Sequence, residues 1–172
     1  METLRVPTDW GVISIAFSDK GIISLYLPGD PALTMADEIT HAMGKDRENY
    51  SNIDSLLKRY FSGSHVDFSK LKVDLSRHTA FFRDICRAAQ SIPYGELRTY
   101  SQLAEMAGRK NAARAAGRVM AANSIPIIIP CHRVVSSDGS LTGYSAPGGL
   151  KTKKELLMME GVCFDKNGRV IN

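Results

Sequence analysis

Apolar and polar residues alternate between positions 10 and 27. Ile13, Ile15 and Phe17 come first, and Ile23, Leu25 and Leu27 follow after Asp19-Lys20-Gly21. Period-two spacing on both sides of a turn predicts two short strands in a hairpin, closed by Pro28-Gly29-Asp30-Pro31. The pattern then changes to a helical one. Residues 33–43 form a weak candidate helix. Residues 51–62 form a better one, with Ser51 as cap, Ile53, Leu56, Leu57, Tyr60 and Phe61 on one face, and Gly63 as the stop. The polar stretch Ser62–Ser76 reads as a linker. A further helix is predicted over Thr79–Ser91, with Phe82, Ile85, Cys86 and Ala89 on its inner stripe, so Cys86 reads as core.

Beyond the Ile92-Pro93-Tyr94-Gly95 turn, Thr99-Tyr100-Ser101-Gln102 has the form of a capping box, Thr at N-cap and Gln at N3. It opens a helix that ends at Gly108, and a second helix is predicted over about residues 111–122. Two short helices around a glycine turn are a helix-turn-helix pattern. The second is made of small residues with Arg114 and Arg118 among them, a composition suited to close approach to a negative surface. An apolar run, Ile125 to Pro130, is expected as a strand leading to Cys131. Val134-Val135 is expected to enter a hairpin at Ser136–Gly139, and a last helix spans Leu150–Glu160 with Gly161 after its end. The expected fold is α+β, a small N-terminal sheet-and-helix domain (1–75) and a mainly helical C-terminal domain (76–172) carrying the helix-turn-helix and an active-site loop.

Composition narrows the class. With 172 residues, 44% hydrophobic and 23% charged, the chain reads as an ordinary globular protein. No stretch approaches the roughly 20 apolar residues of a membrane span, so no membrane partner is expected. The N-terminus lacks a signal-peptide pattern, which points to the cytoplasm, or the nucleus of a eukaryote. Three widely spaced cysteines offer neither a disulfide framework nor a zinc site, and no metal or cofactor is expected. Charge is unevenly placed. Residues 87–154 hold 10 Lys and Arg against 3 Asp and Glu, while the segments on either side are net acidic. That asymmetry points to a polyanion.

The basic segment contains Ile129-Pro130-Cys131-His132-Arg133-Val134. A cysteine nucleophile acts as thiolate, and neighbouring histidine or positive charge favours that form. With the helix-turn-helix, Pro130-Cys131-His132-Arg133-Val134, Gly143-Tyr144-Ser145 and Glu160-Gly161 in this order, residues 77–162 resemble the O6-alkylguanine-DNA alkyltransferases. The resemblance implies repair by direct reversal: the alkylated guanine leaves the helical stack, and Cys131 takes its alkyl group irreversibly, in a single turnover. The implied substrate is O6-alkylguanine in double-stranded DNA, with O4-alkylthymine a further candidate, bound through the minor groove by a monomer.

The same resemblance implies roles for named residues. His132 acts as base through a bridging water, Glu160 orients it, and the Tyr100 hydroxyl donates to N3 of the base. The Ser145 N–H faces O6, and the Cys131 and Val134 carbonyls accept from the exocyclic amine. Arg114 fills the space of the flipped base, while Ala112, Ala113 and Gly117 suit a narrow groove. Asn123 ties the recognition helix to the active-site segment, Met120 packs at the pocket, and Ser101, Arg109 and Ser137 lie at or near phosphate contacts. Two departures stand out. Ala146-Pro147 reads as a two-residue insertion in the pocket wall, and the N-terminal part lacks the zinc ligands of some animal members and matches only in architecture, as a structural unit. The rival readings are a recognition-only relative, which carries another residue, commonly tryptophan, in place of the cysteine; a helix-turn-helix transcription regulator; and a cysteine hydrolase, for which His41, His65 and His78 offer no context.

Overall fold

The computed structural model describes residues 2–31 and 52–171. The candidate helix at 33–43, His41 and the proposed cap Ser51 lie outside the described residues. The chain opens with three strands, β1 (Glu2–Thr8), β2 (Gly11–Ser18) and β3 (Gly21–Tyr26), in an antiparallel meander of order β1-β2-β3. The hairpin expected from alternation is β2–β3. β1 is an addition: only Leu4 and Val6 alternate in it, and Pro7 argues against a central strand. On an edge that proline is tolerated, and Leu4 and Val6 sit opposite Ile15 and Ile13. Helix α1 (Ile53–Phe61) packs on the sheet, with Ile53, Leu57, Tyr60 and Phe61 buried as the spacing predicted.

The stretch read as a linker is closely packed. Val66, Phe68 and Leu75 are buried. Ile22 N donates to Lys72 O at 3.0 Å, and Asp74 N donates to Ile22 O at 2.8 Å, which lays the segment parallel to β3. Gly21 permits this approach, since a Cβ there would stand 2.8 Å from Lys72 O.

Helix α2 (Ala80–Gln90) is capped by Thr79, whose hydroxyl accepts from Phe82 N. Strand β4 (Arg98–Thr99) leads into α3 (Tyr100–Met106), and the Thr99/Gln102 capping box forms reciprocally as predicted. Helix α4 (Ala113–Ala121) completes the helix-turn-helix, starting two residues later than expected. Strand β5 (Val134–Val135) does not enter a β-hairpin. It pairs in parallel with β4 and so joins the helix-turn-helix to the active-site segment. Helix α5 (Leu150–Met159) ends at Glu160 and Gly161, and a hairpin of β6 (Cys163–Phe164) and β7 (Val170–Ile171), absent from the sequence reading, follows. One buried apolar cluster runs from Val6 to Leu156. Among the described residues no helix is long and apolar enough to cross a membrane.

Candidate active site

The apolar run before Cys131 is a buried loop, contrary to the strand expected. Ile125, Ile127, Ile128 and Ile129 are fully buried, but a run of apolar residues dictates burial and leaves the backbone path open. Ile127 takes φ +71°, a rare value for a β-branched residue, costing about 1–3 kcal/mol. Asn123, at the exit of α4, supplies the loop with hydrogen bonds: its Nδ2 donates to Ile129 O at 2.8 Å and its Oδ1 accepts from Ile125 N at 3.0 Å. The loop ends in a single 3-10 turn, Cys131–Arg133.

That turn buries Cys131, His132 and Arg133 together in the interior. His132 and Arg133 meet Glu160. His132 Nε2 lies 2.8 Å from Glu160 Oε1, and Arg133 donates from Nε to Oε2 and from Nη2 to Oε1, both at 2.9 Å. Gly95 N adds a bond to Oε2 at 3.1 Å, and the Tyr60 hydroxyl donates to Oε1 at 2.6 Å. Burial by itself would raise the Glu160 carboxyl, but His132 and Arg133 hold it well below the usual range. It is therefore an acceptor, and the His132 proton belongs on Nε2. The buried Nδ1 has no hydrogen-bond partner among the described residues. Burial pushes His132 down against the pull of Glu160, so the resting ring is neutral and Nδ1 can accept a proton.

Cys131 is 6% exposed. Burial pushes its thiol up, while the Asn123 amide and the Lys153 ammonium pull it down. Burial thus favours the thiol, against the adjacent positive charge that favours the thiolate. Desolvation outweighs the neighbours, and the neutral His132 supplies no charge. Lys153 on α5 is fully buried, donating to Val134 O at 2.6 Å and to Thr142 O at 2.9 Å. Burial pushes it down to about 8, against the pull of Cys131. A cavity of about 100 Å³ opens beside the sulfur, lined among others by Leu25, Asn123, Pro126, Tyr144, Ser145 and Ala146. A small electrophilic group delivered here would meet a thiol, with a proton acceptor nearby.

The other predicted residues are spread over the adjoining face. Arg114 and Arg118 project from α4 into solvent, with Ala112 and Ala113 half-buried beside them. Met120 is buried. Gly117 lies beside the Tyr100 ring, which an added Cβ would meet at 3.7 Å, an ordinary packing distance. Tyr100 donates its hydroxyl to Thr142 O at 3.3 Å. Ser101 and Ser137 are exposed, and Arg109 turns back to Asp84 at 2.6 Å.

Comparison with known proteins agrees with this arrangement. Residues 80–162 match the family model for the 6-O-methylguanine DNA methyltransferase DNA-binding domain. A methylated-DNA–protein-cysteine methyltransferase of Methanosarcina barkeri is 38% identical over 151 residues, covering 87% of this chain and 90% of that protein. The chain belongs to this methyltransferase family. A Mycolicibacterium paratuberculosis member is 46% identical over 104 residues, 60% of this chain and 61% of its own length. A crystal structure of Mycobacterium tuberculosis OGT in complex with DNA superposes with a TM-score of 0.74 at 32% identity, covering 93% of this chain and 92% of that one. The α+β fold expected from the sequence is the fold of these methyltransferases.

Within this methyltransferase fold His132 meets Glu160, and Asn123 braces the loop that carries Cys131 and lines the same cavity. The tertiary structure gives Arg133, read from the sequence only as a charge near Cys131, a place on Glu160, and adds three groups that had no role in the sequence reading: Lys153, Tyr60 and Gly95. Arg133 carried a signal as the charge two residues after the cysteine, whereas Lys153, among Lys151, Thr152 and Lys154, reads as part of a solvated helix face. Tyr60 carried none, because a tyrosine on the apolar stripe of a helix reads as core.

Proposed function

We propose that the protein repairs alkylated DNA by direct reversal, moving an alkyl group from O6 of guanine to Cys131 as a single-turnover methyltransferase. The observation that carries this reading is the Cys131 thiol at the floor of a cavity, beside a neutral histidine whose tautomer a buried carboxylate fixes. His132 Nδ1 takes the thiol proton through a bridging water. The sulfur attacks the alkyl carbon as the carbon–O6 bond breaks, and the electron pair passes into the purine ring. The Tyr100 hydroxyl stabilises that charge at N3, and one proton in net passes from thiol to guanine. The thioether cannot leave, so the protein is consumed.

The exposed arginines of α4 and the basic excess of residues 87–154 support DNA as partner. Minor-groove docking, insertion of Arg114 in place of the flipped base, and action as a monomer belong to the same proposal. The test is mass spectrometry after incubation with a duplex containing O6-methylguanine. A gain of about 14 Da on the Cys131 peptide is expected for a methyl replacing a hydrogen, and Cys131→Ala should bind the duplex without gaining mass. Binding by the wild type with no gain would favour a recognition-only protein.

A further inference from the structure

The N-terminal sheet and α1 have so far figured only as structural support. One side chain of α1 reaches the reaction centre. Tyr60 is fully buried, and its hydroxyl stands 2.6 Å from Glu160 Oε1 and 3.3 Å from His132 Nε2. We propose that Tyr60 is a positioning residue for alkyl transfer, holding the Glu160 carboxylate and the His132 ring in register from the N-terminal part of the chain. The proposal rests on the direct-reversal reading above.

The argument lies in how the carboxylate is shared. Arg133 Nε and Gly95 N occupy Oε2, and Arg133 Nη2, His132 Nε2 and the Tyr60 hydroxyl converge on Oε1. Arg133 and Gly95 anchor the carboxylate at Oε2, which leaves Oε1 to be shared. Tyr60 competes with His132 for one oxygen, so it governs how much negative charge the imidazole feels. Burial, then Glu160, pushes the Tyr60 phenol well above its ordinary value, so it remains a donor throughout the working range. The charged and titratable groups around His132 are Cys131 and Arg133 on its own turn, Lys153 of α5, Glu160 and Tyr60; Tyr94 and Tyr144 face Glu160. Among these, Tyr60 alone comes from the N-terminal part.

Removing the hydroxyl leaves Glu160 less neutralised. His132 then holds a proton to higher pH, and the ring loses a contact that fixes its plane. A merely structural tyrosine predicts neither effect, because phenylalanine keeps the edge packing on Phe61, Phe68 and Tyr94.

The experiment is single-turnover methyl transfer from O6-methylguanine duplex, followed against pH for wild type and Tyr60→Phe. The first-order rate constant does not depend on the fraction of folded protein. A fall of about ten-fold at neutral pH is expected, of the order set by one hydrogen bond to a charged group. The acid limb should move to higher pH, and duplex affinity should stay unchanged. Equal rates and superimposable profiles would overturn the proposal. If Tyr60→Phe does not fold, proton NMR of the wild type tests the same link. The Tyr60 hydroxyl should give a slowly exchanging low-field resonance, close in space to the His132 ring and shifting with the acid limb. Its absence, or a pH-independent shift, overturns the role. A wild type that transfers no methyl sinks the direct-reversal reading and this inference together, whereas transfer with an indifferent variant removes Tyr60 alone.

Discussion

Glu160 is buried with hydrogen bonds from Tyr60, Gly95, His132 and Arg133, and its ionisation is coupled to folding. Its carboxyl lies below the ordinary 4.5 in the folded protein, because His132 and Arg133 outweigh the effect of burial. The unfolded chain therefore binds this proton first as pH falls. The stabilisation is complete above the unfolded value and is lost as pH drops from about 4.5 towards the folded one. Thermal melts followed by circular dichroism from pH 7 to pH 3 should show this loss. Glu160→Gln should remove that part of the acid dependence, and at pH 7 should cost roughly 3–5 kcal/mol by leaving Arg133 buried without its counter-charge. Gly95 is constrained at the same place. It has φ +75°, and an added Cβ would lie 2.9 Å from Glu160 O. Gly95→Ala should lower the melting temperature, with a cost of about 1–3 kcal/mol for the strained conformation. The motif around Cys131 identified the nucleophile and its histidine from sequence, because that information is local. The desolvation that keeps Cys131 a thiol is set by residues distant in sequence and could not be read there.

Elements whose ends are set by local chemistry were legible. Thr79 caps α2, and Thr99 with Gln102 boxes the start of α3, because side chain and backbone partner lie within three residues of each other. The run from Ile125 to Pro130 is a loop and not the expected strand, since its hydrogen bonds come from Asn123 and from turns within it, with no ladder partner among the described residues. Asn123→Ala should therefore cost about 1–3 kcal/mol by leaving Ile125 N unsatisfied in the core, while Ile129 O keeps its bond from Cys131 N, and should slow transfer with it, as read by chemical unfolding and by single-turnover rate. On α4, Arg114→Ala should slow repair of duplex far more than reaction with free O6-alkylguanine base, which needs no extrusion from a stack. Equal slowing of both would count against the flipping role.

At the scale of the molecule, the reaction changes the protein that performs it. The thiol is almost fully buried, and Asn123 lines the space of about 100 Å³ beside it. A methyl thioether presses on Asn123, and a benzyl group must also push against Pro126, Tyr144 and Ala146. Overpacking of this kind costs about 1–3 kcal/mol, so the alkylated protein should melt below the free one, and the benzylated form below the methylated. Differential scanning calorimetry of the three forms checks the order. Ala146 and the end of β3 form part of the wall of that space.

The sequence by itself determined the helix-turn-helix, its capping, the cysteine with its adjacent histidine, and the basic segment, because each rests on residues close together or on charge that needs no geometry. Only the tertiary structure decided the resting state of Cys131, the loop path that carries it, the parallel pairing of Arg98–Thr99 with Val134–Val135, and the arrival of Tyr60 and Lys153 at the site. These depend on contacts between distant parts of the chain and on the exclusion of water, and both come into being only when the core closes.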